Sequence, residues 1–145
     1  MCTGGGRGTM FNTLYVIEAD AAERHWIAAA LAGQAQRLVF LDGAVSLGPH
    51  LPSQDGDCLL CSAEPDAGAV LALVRGLRAD GETLPVLMTG PHGAFRAAVD
   101  LARLQVTDFL ERPFSAQRLR GALQRIAGTA VRPSLASTRR IDERP

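Results

Sequence analysis

Short apolar runs alternate with longer segments of helical period along most of the 145-residue chain. The runs are TLYVI (13–17), RLVFL (37–41), CLLC (58–61), LPVLMT (84–89) and VTDFLE (106–111). Each is too short for a helix, and most lack the polar alternation of a half-exposed strand. They predict strands buried on both faces, as in a parallel sheet covered by helices. After the first run, Asp20 is placed to cap a helix from Ala21 to about Ala32, with Trp26, Ile27, Ala30 and Leu31 on its apolar side. Residues 67–79 carry Val70, Leu73, Val74 and Leu77 at helical spacing, and residues 93–105 predict a further helix. Ser115 caps the last one, with Leu119, Ala122, Leu123 and Ile126 on one face. Residues 42–56 break the rhythm: Gly43, Gly48, Pro49, Pro52 and Gly56 leave room only for a short or broken second helix.

Strand–helix alternation of this kind predicts an α/β fold, a flavodoxin-like (βα)5 doubly wound parallel sheet with strand order 2-1-3-4-5. Residues 1–12, opening MCTGGGRGTM, read as a flexible leader, with Met10 a candidate start. Residues 13–128 form one domain, and 129–145 read as a disordered tail without period. No internal repeat is visible. In such sheets ligands bind beyond the carboxyl ends of the strands. Those ends offer Glu18, Ala19 and Asp20, then Ser62, Thr89 and Arg112.

Composition narrows the classes. Apolar residues make up 47% of the chain and the formal net charge is zero, so no overall charge draws it to nucleic acid or an anionic membrane. All 15 basic residues are arginine. No apolar run approaches the roughly 20 residues of a membrane helix, and the first residues lack the apolar core of a signal peptide. A reduced, cytoplasmic protein follows most simply. Cys58 and Cys61 have the C-x-x-C spacing of zinc and redox sites. On a strand, however, residues three apart point to opposite faces, so they read as two buried hydrophobes.

The segments LYVIEADAAER, DCLLCS, LPVLMTGPHG and VTDFLERPF resemble the receiver domain of bacterial two-component response regulators, over about residues 13–127. The resemblance is strongest to the LuxR-type branch, and the closing aromatic-x-x-basic-Pro-Phe pattern is its most specific part. It implies phosphoryl transfer from a histidine kinase to an aspartate at the end of strand three. Two acidic residues after strand one help hold Mg²⁺, a Thr or Ser after strand four and a Lys after strand five bind the phosphoryl oxygens. Position by position, this chain departs from that pattern. Ser62 stands at the phosphoacceptor position, Glu18 and Ala19 at the acidic pair, and Arg112 at the lysine; Thr89 alone matches. Thr89 and Phe109 match the family's switch pair, and the Arg112–Pro113 bond is a cis candidate.

The departures change the chemistry. A carboxylate is ionised at neutral pH and can form an acyl phosphate, whereas a serine hydroxyl needs a neighbouring base. His92 is the only histidine near enough in sequence to be considered. Mg²⁺ requires hard oxygen ligands, and Glu18 alone would hold it weakly. Arg112 either pairs with Glu18 as a built-in cation or turns outward. The expectation is a degenerate receiver, not an enzyme, without a cofactor and not phosphorylated on aspartate. It would act through protein–protein contact with a histidine kinase or another signalling protein. Its contact surface would be the face of helix four, strand five and helix five (Arg96, Asp100, Arg103, Arg118, Arg125), whose mixed charge reads as a solvated face and which the resemblance implies can make a homodimer or bind partners. Two other readings stand beside this: a rewired acceptor at Ser62, Glu64 or Asp66, and a pseudo-receiver that binds a small molecule. Direct nucleic-acid binding is not expected, because no folded reader follows the domain.

Overall fold

The structure is a computed structural model, and it describes residues 10–63, 67–91 and 106–140. Five parallel strands form one sheet in the order β2-β1-β3-β4-β5. They are β1 (Phe11–Ile17), β2 (Ala35–Leu41), β3 (Cys58–Ser62), β4 (Val86–Gly90) and β5 (Asp108–Glu111). Three helices are described: α1 (Ala21–Ala30), α2 (Ala67–Ala79) and α3 (Ala116–Arg140). The order is the expected flavodoxin-like one. β3 and β4 are buried at every position, which is why their sequences run apolar without alternation.

Two apolar layers cover the sheet. On one face, Val70, Val74 and Leu77 of α2 pack on Tyr15, Ile17, Leu59, Cys61 and Met88. On the other, Ile27 of α1 and Leu119, Ala122, Leu123 and Ile126 of α3 pack on Leu14, Val16, Cys58 and Leu60. Cys58 and Cys61 thus lie on opposite faces. Burial pushes the Cys61 thiol up to about 12 and raises Cys58 also. Both therefore stay neutral and act as small apolar groups.

Residues 44–50 form a single 3-10 helix (Ala44–His50) with Pro49 inside it. Proline removes a backbone donor and bars a regular α-helix here. Leu47 from this element is fully buried, so even the broken segment contributes to the core. Gly56 has φ +91°, and a Cβ there would come within 3.2 Å of the Asn12 side chain. Only glycine fits that turn without strain.

Several expectations need correction. β1 begins at Phe11, and Met10 and Phe11 donate N–H bonds to Gln34 while Asn12 donates to Gly56. The leader therefore does not extend to residue 12, because residues 10–12 already pair with the sheet and its turns. α3 runs to Arg140, past residue 128, where the expected domain ended and a disordered tail began. A helix anchored by packing at 116–127 propagates without a new nucleation cost. Trp26, expected on the apolar side of α1, is 36% exposed. The expected helix at 93–105, with Arg96, Asp100 and Arg103, lies outside the described residues, so the face it would share with β5 is not described either.

Candidate functional site

The carboxyl ends of β1, β3, β4 and β5 lie side by side, and the chain just beyond them supplies the candidate chemistry. Ser62 is the last residue of β3 and pairs in register with Thr89 of β4. Both are buried. Ala63 continues the contact, its N–H donating to the Thr89 carbonyl over 2.7 Å. Glu18 follows β1 and is 4% exposed. Ala19 beside it is exposed and brings only a methyl group. Arg112 follows β5 and is tied to β4 by an N–H bond to the Gly90 carbonyl. The Arg112–Pro113 bond is cis, as is Leu51–Pro52, which the sequence did not suggest.

Arg112 turns inward. Its Nη2 lies 3.4 Å from Glu18 Oε1, and its Nη1 lies 2.7 Å from Glu23 Oε1. The other Glu18 oxygen accepts the Asp20 N–H at 3.1 Å. Both oxygens of this buried carboxylate are thereby occupied. The Arg112 Nε is buried and has no hydrogen-bond acceptor among the described residues. The guanidinium also sits over the Phe114 ring, 5.6 Å from its centroid. Phe114 in turn meets Trp26 edge-on, with centroids 5.8 Å apart.

A second arginine borders the pocket. Arg24 donates through Nε to the Glu18 carbonyl and through Nη2 to Asp42, at 3.0 Å. It fixes the chain that follows β1 against the end of β2. Asp20 is the cap of α1, its Oδ2 accepting the Glu23 N–H at 2.8 Å. Ser115 does the same for α3, its hydroxyl accepting the Arg118 N–H.

The sequence reading therefore named Glu18, Ser62, Thr89 and Arg112, and these converge. Phe109 does not join them: it stands on edge strand β5, 37% exposed. Glu64, Asp66 and His92 lie outside the described residues. Glu23, Arg24 and Phe114 were not singled out as site residues. The signal for Glu23 was present, since an acid three positions after a capping Asp lies in the first turn of a helix that starts at the pocket. Among the described residues, no group of three or more His, Cys, Asp or Glu side chains is gathered as a metal site, and no helix is long and apolar enough to cross a membrane.

This strand order, with Glu18, Ser62, Thr89 and Arg112 at the carboxyl ends of the strands, matches the flavodoxin-like fold of receiver domains, as solved structures show. The receiver domain of a putative LuxO repressor protein from Vibrio parahaemolyticus superposes with a TM-score of 0.75 at 13% identity, covering 87% of this chain and 97% of that one. Full-length FixJ from B. japonicum superposes with a TM-score of 0.75 at 24% identity, covering 88% of this chain and 63% of that one. In sequence, the chain is homologous to the transcriptional regulatory protein FixJ of Bradyrhizobium diazoefficiens, 27% identical over 111 residues, which are 77% of this chain and 54% of the relative. The chain thus spans about half the length of that curated relative. No protein-family model matches the chain.

Proposed function

We propose that the chain is a response-regulator receiver-like domain in two-component signal transduction, and that it works without aspartyl phosphorylation. It acts by binding a histidine kinase or another signalling protein in the cytoplasm, with no enzymatic step of its own. The observation that carries the reading is the double pairing of Arg112 with Glu18 and Glu23 beside a serine at the acceptor position.

The pairing bears on both halves of the family's chemistry. The residues do not fit Mg²⁺: Ser62 and Ala19 bring no carboxylate, and Glu18 is already held by Arg112 and the Asp20 N–H. The guanidinium supplies positive charge where a divalent cation would stand. Ser62 brings a buried hydroxyl, which is un-ionised at neutral pH and a weaker nucleophile than an aspartate carboxylate in the same place. Thr89 and Phe109 then serve as strand-end and edge residues rather than as a switch driven by phosphate.

Intact mass after incubation with acetyl phosphate and Mg²⁺ tests this. The expected result is an unchanged mass under conditions that label a receiver domain with an aspartate acceptor. A phosphate adduct would overturn it, and mapping the adduct to Ser62, Glu64 or Asp66 would establish a rewired acceptor instead.

A further inference from the structure

Among the described residues, a chain of contacts joins the pocket to the molecular surface through Arg112, Phe114 and Trp26. Glu18, buried, holds one arm of Arg112. The Arg112 guanidinium lies over Phe114, Phe114 meets Trp26 edge-on, and Trp26 reaches solvent on α1. We propose that the charge state of the Glu18 pocket is transmitted to the α1–α3 surface through Arg112, Phe114 and Trp26. The proposal rests on the receiver-like reading above and adds the route by which the pocket is read.

Three features make the route physical rather than merely contiguous. First, Arg112 divides its two arms between two partners on different parts of the chain. It holds two carboxylates of different character, one buried (Glu18) and one at the surface (Glu23, side chain 38% exposed). Its Nε is spare among the described residues. Losing the Glu18 charge leaves Glu23 as the remaining anchor, which draws the guanidinium toward α1. Second, the guanidinium's place over Phe114 depends on direction and distance, so that shift changes the cation–π contact. Third, Phe114 and Trp26 touch through oriented rings, whose edge-to-face geometry responds to small rotations. Any ligand or partner group that neutralises or displaces Glu18 acts on the same route, because a ligand shifts an equilibrium only by its differential affinity for the two arrangements.

Trp26 is the only tryptophan in the chain, so the protein carries its own reporter. The test compares acrylamide quenching and emission maximum of Trp26 in wild type, Glu18→Gln, Arg112→Lys and Phe114→Leu, and in the double variant Glu18→Gln with Phe114→Leu. Glu18 touches neither Phe114 nor Trp26 in any described contact, so a direct effect is not expected. Glu18→Gln is expected to change the quenching constant about twofold and to leave it unchanged when Phe114→Leu is already present. Arg112→Lys, which keeps the charge and loses the planar stack, is expected to reproduce the Glu18→Gln effect and provides the reading should Glu18→Gln fold poorly. Identical Trp26 signals in wild type, Glu18→Gln and Arg112→Lys overturn the proposal. An effect of Glu18→Gln that persists in full with Phe114→Leu also overturns it. The phosphate-adduct experiment fails or succeeds independently: an adduct would remove the phosphorylation-free reading and leave the Trp26 result to stand on its own.

Discussion

The two ends of the sheet hold their acids in opposite ways. At the carboxyl end, Glu18 is held by a guanidinium from another element. At the amino end, acids are held by backbone and hydroxyl donors from the loops. Glu82 accepts from the Ser53 N–H and the Leu84 N–H, each at 3.1 Å, and from the Ser53 hydroxyl. Asp57 accepts the Gln54 N–H at 2.9 Å. Arg78 donates to the Glu82 carbonyl. A backbone donor moves only if its loop moves, whereas a guanidinium on a long side chain can change partners while the fold stays intact. One end is therefore built as a fixed clasp and the other as a rearrangeable pair. The proposed signalling site lies at the second.

The contrast is broken most directly at Arg112. Arg112→Ala leaves Glu18, 5% exposed at its side chain, as a buried charge without its cation. Removing one partner of a buried pair costs far more than the pair itself contributes. Urea unfolding at neutral pH is expected to show a loss of about 3 kcal/mol. Glu18→Gln is expected to lose only about 1 kcal/mol, because Arg112 keeps Glu23 and the amide can still accept the Asp20 N–H. Equal losses for the two variants would mean that the pocket is as rigid as the clasp.

At the other end the sensitive variable is pH. Burial alone would raise the Glu82 carboxyl, but the Ser53 hydroxyl and the Ser53 and Leu84 N–H groups bring it net below its ordinary value of 4.5. A depressed folded-state value means stability that is present above the unfolded value and lost as pH falls through the folded one. Wild type is thus expected to lose stability below about pH 4.5 more steeply than Glu82→Gln. At neutral pH, Glu82→Gln is expected to cost about 1–2 kcal/mol, since charge-assisted bonds become neutral ones. Urea midpoints at pH 7, 5, 4 and 3 decide this. Parallel curves for the two proteins would show that the clasp does not depend on the carboxylate.

How legible each end was in the sequence follows from the same contrast. The strands, their order and the helix faces were readable because burial on both faces writes itself as unbroken apolar runs such as CLLC, and helices as spaced Leu and Val. The convergence of Glu18, Ser62, Thr89 and Arg112 was readable because all four lie at or just after the carboxyl ends of strands in one parallel sheet. The direction of Arg112 was open, because a long side chain at a strand end can face either way and only the third dimension decides. Glu82 and Ser53 were not visible at all. They lie 29 positions apart in polar loops, and nothing in loop composition encodes which hydroxyl meets which acid. The extent of α3 past residue 128 was hidden because the residues from Thr129 onward carry no apolar period.

The smallest expected effect separates local capping from the pocket's charge pair. Asp20 serves both, but by different atoms: its carboxylate caps α1 through the Glu23 N–H, while its backbone N–H donates to Glu18. Asp20→Ala removes the first bond and keeps the second. It is expected to cost about 1 kcal/mol, the ordinary loss for an N-cap, and to leave Trp26 emission as in wild type, because the Glu18–Arg112 pair is untouched. A much larger loss, or a Trp26 shift like that of Glu18→Gln, would mean that the start of α1 and the buried pair form one cooperative unit. The rearrangeable end would then include the first turn of the helix, and the boundary between the fixed and movable parts of the molecule would lie inside α1 rather than at Arg112.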